Sequence, residues 1–246
     1  MKLTLLDQAL DLAAGSIPVA LATELSSGRQ ALVTATLQDG DLGLAPGDIA
    51  DIRARLLEGG GSGMFELSAG AVFLEIWSPA LRLLIVGAVH IAQTLVPLAR
   101  AASYRVTIID PRGAFASRER FPDVEIIPEW PDDAIPALAP DRRTALVVLS
   151  HDPKIDDPAL IAALASDAFY IGALGSRRSH ASRRERMLAS GLSPAAIDRI
   201  HGPVGLAIGA QSPAEIAIAI LAEITAVLRG GALAGRSGWY PDGRDG

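Results

Sequence analysis

Four short stretches of this chain combine the residue types that bind or activate an anionic organic ligand. Each lies where an apolar run gives way to polar residues. The first is Gly87-Ala88-Val89-His90-Ile91-Ala92. A dinucleotide-binding turn reads G-x-G-x-x-G/A, and its middle glycine lets the backbone approach a pyrophosphate. Gly87 and Ala92 match the outer positions, and Val89 replaces the middle one. Two readings follow. The helix N-terminus here still favours an anion, or the turn keeps its shape without tight dinucleotide binding. The second stretch is Asp110-Pro111-Arg112. Asp110 comes about 20 residues after Gly87, where an acid takes a ribose hydroxyl. It also reads as an ordinary strand-terminal aspartate. Arg112 can meet a phosphate or pair with Asp110.

The third stretch is Ser150-His151-Asp152. In a doubly wound sheet the ligand crevice lies outside the carboxyl ends of the strands, at the point where strand order reverses. His151 and Asp152 are then expected near Gly87 and His90, as ligand contacts or as loop-shaping hydrogen bonders rather than as catalysts. The fourth stretch is Gly172-Ala173-Leu174-Gly175-Ser176-Arg177-Arg178. Its glycines allow a tight turn, and its serine and helix N–H groups suit an anion. Arg177 and Arg178 fall in the first helical turn, where cations oppose the helix dipole. That unfavourable placement points to a negatively charged ligand. Arg183, Arg184 and Arg186 read instead as a solvated face or a partner surface. His201-Gly202-Pro203-Val204-Gly205 reads as a turn with a hydrogen-bonded histidine.

The elements that position these stretches follow from hydrophobic periodicity. Strands are predicted over 82–87, 104–110, 124–128, 144–150 and 169–174, alternating with helices over 91–102, 157–166, 177–190, 193–200 and 212–230. Pro97 is expected to kink the first of these helices. Asp157 and Pro158 read as the N-cap and first residue of the second. Ser212 and Glu215 form a capping-box pattern, and Gly230 is a C-terminal stop. Near-continuous apolar strands alternating with helices predict an α/β, Rossmann-like doubly wound parallel sheet over 81–230. Residues 1–78 read as a small N-terminal α+β domain. It has a helix over 4–14, hairpin strands over 19–25 and 31–37, a turn at QDGD, a helix over 47–57 capped by Asp48, a glycine loop over 59–63, and a second hairpin over 64–68 and 72–78. Pro79 marks the boundary. The Gly-rich segment 231–246 reads as a flexible tail.

Composition narrows the function class. The net charge is −6, which argues against non-specific nucleic-acid binding. The chain has no cysteine, so disulfides, thiolate metal ligation and thiol nucleophiles are excluded. No metal site and no catalytic set is predicted. The N-terminus lacks the pattern of a secretion signal, and no apolar run is long enough to span a bilayer. A cytoplasmic location is expected.

The run LLIVGAVHIA, HDPKIDDP, YIGALGSRRSHASRRERM and IHGPVGLAIGAQSPAE, in that order, resembles the C-terminal domain of the XdhC/CoxI family over about residues 81–230. The resemblance implies a maturation factor that binds molybdenum cofactor, as molybdopterin or its dinucleotide, and protects it through sulfuration. Such a factor passes the cofactor to a molybdenum hydroxylase such as xanthine, aldehyde or carbon monoxide oxidising enzymes. It further implies a homodimer and a cysteine desulfurase as a second partner. This sequence departs from the family where Val89 replaces a glycine and where Ala207 stands in place of an acid. It also lacks the Cys-containing segment of the family's N-terminal region. Two alternatives stay open. One is an FAD- or NAD-dependent oxidoreductase acting in assembly of the molybdenum centre, with His90, His151 and Asp152 as acid–base groups. The other is an interaction protein with a decayed ligand site.

Overall fold

The computed structural model describes residues 3–15, 17–58, 60–68, 70–113 and 115–231. The tail expected over 231–246 lies outside them from residue 232 onward, as does Gly59 of the expected glycine loop. The chain divides into two compact units, Met1–Ala80 and Leu81–Gly246.

The first unit comprises α1 (Leu3–Ala14), β1 (Val19–Glu24), β2 (Gln30–Val33), β3 (Gln38–Gly40), α2 (Pro46–Glu58), β4 (Gly63–Leu67) and β5 (Gly70–Trp77). Its five strands form an antiparallel sheet in the order β3-β2-β1-β5-β4. Side chains alternate between the faces of a strand. Val19 and Leu21 therefore pack with Leu5 and Ala9 of α1, whereas Ala20 and Ala22 pack with Ile52 and Leu56 of α2. Three expectations need correction. The strand expected over 31–37 ends at Val33, because the Thr34 hydroxyl accepts the Leu37 N–H at 2.9 Å and closes a turn. The QDG stretch expected as a turn is the returning strand β3. Asp48 is not the N-cap of α2. It sits in the first turn and reaches back to accept the Ala45 N–H at 3.1 Å, while also accepting from the Ser68 N–H at 3.0 Å.

The second unit begins with β6 (Leu81–Val86), α3 (His90–Ala101), β7 (Tyr104–Ile109), β8 (Glu125–Ile127) and α4 (Pro131–Leu138). It continues with β9 (Thr144–Val148), α5 (Pro153–Leu164), β10 (Tyr170–Ala173) and α6 (Arg177–Ala189). It ends with α7 (Pro194–Ile197), β11 (Ile200–His201) and α8 (Pro213–Leu228). All six strands run parallel in the order β11-β10-β9-β6-β7-β8, so the order reverses at the β6/β9 pair. This is the doubly wound Rossmann order. The alternation of each strand divides the core into two layers. Leu83, Ile85, Val106, Ile108 and Val147 pack with α3 and α8, and Leu84, Val86, Ile109, Leu146 and Val148 pack with α4 and α5. Burial on both faces explains why these strands carry no polar alternation.

Three local expectations differ from the structure. The helix expected from Asp157 starts earlier. Asp152 is its N-cap, accepting the Lys154 N–H at 3.0 Å, and Pro153 is its first residue. The sequence offers two Asp–Pro starts, and the buried Ile155 and Asp156 carry the helix back to the first. The helix expected over 193–200 stops at Ile197, and Ile200–His201 form the sixth strand beside β10. Pro97 lies inside α3, which runs unbroken through it. The capping box of α8 is as expected, with Ser212 Oγ accepting the Glu215 N–H at 3.2 Å and Glu215 accepting the Ser212 N–H at 2.9 Å. Ser212→Ala is expected to lower stability by about 1 kcal/mol in urea unfolding. A retained midpoint would mean that water replaces the cap at no cost. No helix among the described residues is long and apolar enough to cross a membrane.

Candidate functional site

Gly87 occupies the left-handed region at φ +105°, and a β-carbon there would sit 2.8 Å from Ser150 N and 3.0 Å from Ser150 Cα. Glycine is thus required because the tips of β6 and β9 touch at the point where strand order reverses. Ala88 is fully buried. Val89 is the N-cap residue of α3, its side chain packed against the core, and it offers no side-chain acceptor to the first helical turn. His90 is exposed at the start of α3, whereas Ile91 is buried in the core.

Asp110 is fully buried at the tip of β7, and each of its oxygens accepts two donors. Oδ2 takes the Ala88 N–H at 2.8 Å and Arg112 Nη2 at 2.9 Å. Oδ1 takes the Arg112 N–H and Nε, both at 2.9 Å. Burial pushes this carboxyl up, but the Arg112 guanidinium and the two backbone N–H groups outweigh it and hold it below the usual aspartate range. The aspartate therefore fixes the β6–α3 turn and orients Arg112. Of the pair, Arg112 is the partly exposed member and Asp110 the buried one. Pro111 is half-buried beside it. Sequence reasoning missed Arg120, which donates to the Ala88 carbonyl at 2.9 Å and to Gln93 Oε1 at 3.2 Å, clamping the same turn from the other side.

At the β9 tip the Ser150 hydroxyl donates to Asp156 Oδ1 at 2.5 Å and accepts the Asp152 N–H at 3.1 Å. His151, between them, is exposed and adopts φ +63°. Few non-glycine residues do so. Asp156 is 2% exposed, and burial pushes its carboxyl above the usual range, more than Ser150 and Arg183 pull it down.

At the β10 tip Gly172 and Ala173 are buried. A β-carbon on Gly172 would meet Val204 Cγ2 at 2.5 Å. Leu174 lends its carbonyl to Arg183 Nη2 at 2.9 Å. Gly175 has φ +146°, and Ser176 caps α6 by accepting the Ser179 N–H at 3.1 Å. Arg177 and Arg178 are exposed in that first turn.

A cleft of about 310 Å³ opens between the first turns of α5 and α6. His151, Asp156, Gly175, Arg178, Arg183 and Arg186 are among its walls. The sequence-selected residues thus divide. His151, Leu174, Gly175 and Arg178 reach this cleft, and Gly87 and Ser150 support it from behind. Asp110, His90 and Arg177 do not line it. The two halves are connected electrostatically, since Arg112 feels the charges of Asp152 and Asp156 after that of Asp110. Arg183, read from sequence as solvated, is 5% exposed. Its neighbour Arg186 pairs with Asp157 through Nε at 2.6 Å and Nη2 at 2.9 Å.

A second buried cluster ties α8 to the sheet. Glu223, fully buried, accepts the Tyr170 hydroxyl and the Gly205 N–H, each at 2.7 Å, and lies 3.3 Å from His201 Nδ1. His201 stacks on Tyr170 with ring centroids 4.6 Å apart. The loop after β11 is therefore held by hydrogen bonds that include its histidine. Among the described residues no group of three or more histidine, aspartate or glutamate side chains stands ready for a metal ion.

Residues 83–224 match the family model of the XdhC Rossmann domain. Two curated relatives are each 32% identical. One is a probable xanthine dehydrogenase subunit from Bacillus subtilis, aligned over 62% of this chain and 44% of its own. The other is the molybdenum cofactor insertion chaperone PaoD of Escherichia coli, aligned over 61% of this chain and 41% of its own. The alignment thus spans less than half of either relative. A crystal structure of a xanthine dehydrogenase from Bacillus halodurans superposes with a TM-score of 0.68 at 26% identity, covering 92% of this chain and 64% of that one.

Proposed function

The chain belongs to the XdhC family, and from that premise we propose that it is a maturation factor which holds molybdenum cofactor and delivers it to a hydroxylase of the xanthine dehydrogenase class. The observation that carries this reading is the gathering of anion donors at the β6, β9 and β10 tips. The uncapped first turn of α3, the first turn of α6, and the guanidinium groups of Arg112, Arg178 and Arg183 all face the carboxyl edge of the sheet or lie next to it. Molybdopterin carries a phosphate, and its dinucleotide form carries a pyrophosphate; helix N-termini and arginines suit both. The insertion role named for PaoD supports the same reading.

The NAD or FAD alternative asks Asp110 to accept a ribose hydroxyl. Both of its oxygens already carry two donors each, so a dinucleotide bound that way would have to displace Arg112 or the Ala88 N–H. A cytoplasmic homodimer that also meets a cysteine desulfurase completes the proposal, with the first 78 residues and the domain over 81–230 as separate functional parts.

Mass spectrometry and absorbance of what co-purifies test the reading. The chain, produced in cells that make the cofactor, is expected to carry a pterin. A preparation with neither pterin nor nucleotide contradicts it. A flavin spectrum bleached by NADH would move the assignment to the oxidoreductase.

A further inference from the structure

Arg183 is an arginine buried inside a polar cleft with donors to spare. Nη2 donates to the Leu174 carbonyl at 2.9 Å. Nε and Nη1 are buried and have no acceptor among the described residues. The carboxylate that faces it is Asp156, whose Oδ2 lies 3.8 Å from Nη2, too far for a hydrogen bond. The other oxygen of Asp156 is engaged by Ser150. A buried N–H without an acceptor is costly, more so on a charged group. Such a group persists where something else supplies the acceptor.

The surroundings indicate what that acceptor is. The cleft wall includes Pro153 on one side and Gly175, Arg178 and Ser179 on the other, so the first turns of α5 and α6 both open on it. The N–H groups in the first turn of α5 are already taken by Asp152, through its carboxylate at Lys154 and its carbonyl at Ile155 and Asp156, whereas α6, 13 residues long, presents an N-terminal end that favours negative charge. Arg178 and the side chains of Ser179 and Ser182 add donors along α6. Arg186 is matched by Asp157, which leaves Arg178 and Arg183 as the arginines facing the space. Nε–H and Nη1–H of Arg183 lie on different edges of the guanidinium, so one anion takes one edge, and Arg178, Ser179 and Ser182 supply the remaining donors from α6. A carboxylate offers two oxygens in one plane. A phosphate offers three oxygens spread about a tetrahedron, which suits donors arriving from several directions.

We propose that Arg183, with the first turn of α6, forms a subsite for a phosphate or phosphomonoester group. As the seat of the cargo's phosphate this rests on the maturation reading; as an anion site it does not. Arg183 is then the charge that the ligand neutralises, and Asp156 keeps it oriented before the ligand arrives.

Inorganic phosphate is the first probe, titrated against the full chain and read as a shift in thermal unfolding, with sodium chloride at matched ionic strength as the reference. Phosphate is expected to stabilise the chain beyond chloride. In Arg183→Lys, which keeps the charge and loses the planar set of donors, the half-saturating concentration should rise about tenfold. Arg183→Met should abolish the shift. Arg105→Ala, exposed near the start of β7 and away from the carboxyl edge, should retain it. If Arg183→Met fails to fold, the lysine variant alone decides. Equal shifts in wild type and Arg183→Lys, or no shift beyond chloride, overturn the subsite. The second probe is an oxidised fluorescent pterin with and without its phosphomonoester. Preference for the phosphorylated form, lost in Arg183→Lys, supports the assignment to cargo. Equal binding of both forms overturns that assignment while the maturation reading stands. Phosphate binding with no pterin binding keeps the anion site and removes the maturation reading.

Discussion

Glu223→Ala is expected to lower the stability of the chain by about 3 kcal/mol. The carboxylate is fully buried in α8 and holds the Tyr170 hydroxyl and the Gly205 N–H at 2.7 Å each. Truncation removes the carboxylate that both groups donate to. An unsatisfied buried donor costs about 1–3 kcal/mol, so the two together exceed the cavity left by the side chain. Urea unfolding checks this, and a loss under about 1 kcal/mol would mean that the loop after β11 finds other acceptors. The pH dependence separates charge from shape. Burial raises the Glu223 carboxyl, but His201, Tyr170 and the Gly205 N–H together hold it below the usual glutamate range. A depressed folded-state value stabilises the fold at neutral pH. That contribution is complete above the unfolded-state value of about 4.3 and is lost as the pH falls through the lower folded value. Glu223→Gln lacks this contribution at every pH. The gap between wild type and the glutamine variant is therefore expected to be widest near neutrality and to close on acidification. A constant gap would show that the glutamate acts through shape alone.

Gly87→Ala is expected to cost at least about 2 kcal/mol and to weaken ligand binding with it. Two independent effects contribute. The left-handed φ of +105° strains any residue with a β-carbon, and that carbon would meet backbone atoms of Ser150 at 2.8 and 3.0 Å. Flexible side chains yield to such contacts, but backbone held between β9 and α5 does so less readily. Relief requires moving the β9 tip, and with it the hydroxyl that holds Asp156. Gly113→Ala is the control. A β-carbon at that exposed glycine meets nothing within 4 Å, so its effect should stay within about 0.5 kcal/mol. Comparable midpoints for the two variants would contradict the close approach of β6 and β9.

How far the sequence carries depends on which interactions write themselves into local pattern. The central parallel strands β6, β7, β9 and β10 are legible because strands buried on both faces are largely apolar runs, and the edge strand β8 is legible from its short apolar stretch alone. The sixth, Ile200–His201, has two residues and leaves no period to read. The start of α8 is legible because a capping box is a local signature. The start of α5 is ambiguous between two Asp–Pro pairs, and long-range burial of Asp156 chooses the earlier one. The strand-tip glycines are legible as turns, but the contact that makes Gly87 obligatory comes from Ser150, in the loop after β9. Spacing finds Asp110. Its engagement by Ala88 and Arg112 depends on how the turn closes, which spacing does not encode. Arg183 is hidden by its neighbours, since a run of arginines reads as a wetted face. One signal is present: Met187 follows at i+4, so the two share a helix face, and Met187 is buried. Glu223 carries a similar signal, a lone acid one turn from Ala219 and Ile220 on the apolar stripe of α8.

The central claim is that this chain carries molybdenum cofactor to a hydroxylase. Its most direct test is transfer. Purified chain, loaded with the cofactor, is mixed with a cofactor-free hydroxylase of the xanthine dehydrogenase class, and substrate oxidation is followed against free cofactor at equal concentration. The loaded chain is predicted to restore activity faster and more completely than the free cofactor, and Gly87→Ala to lose that advantage. Restoration no better than with free cofactor, from a chain that binds it, would contradict delivery as the function.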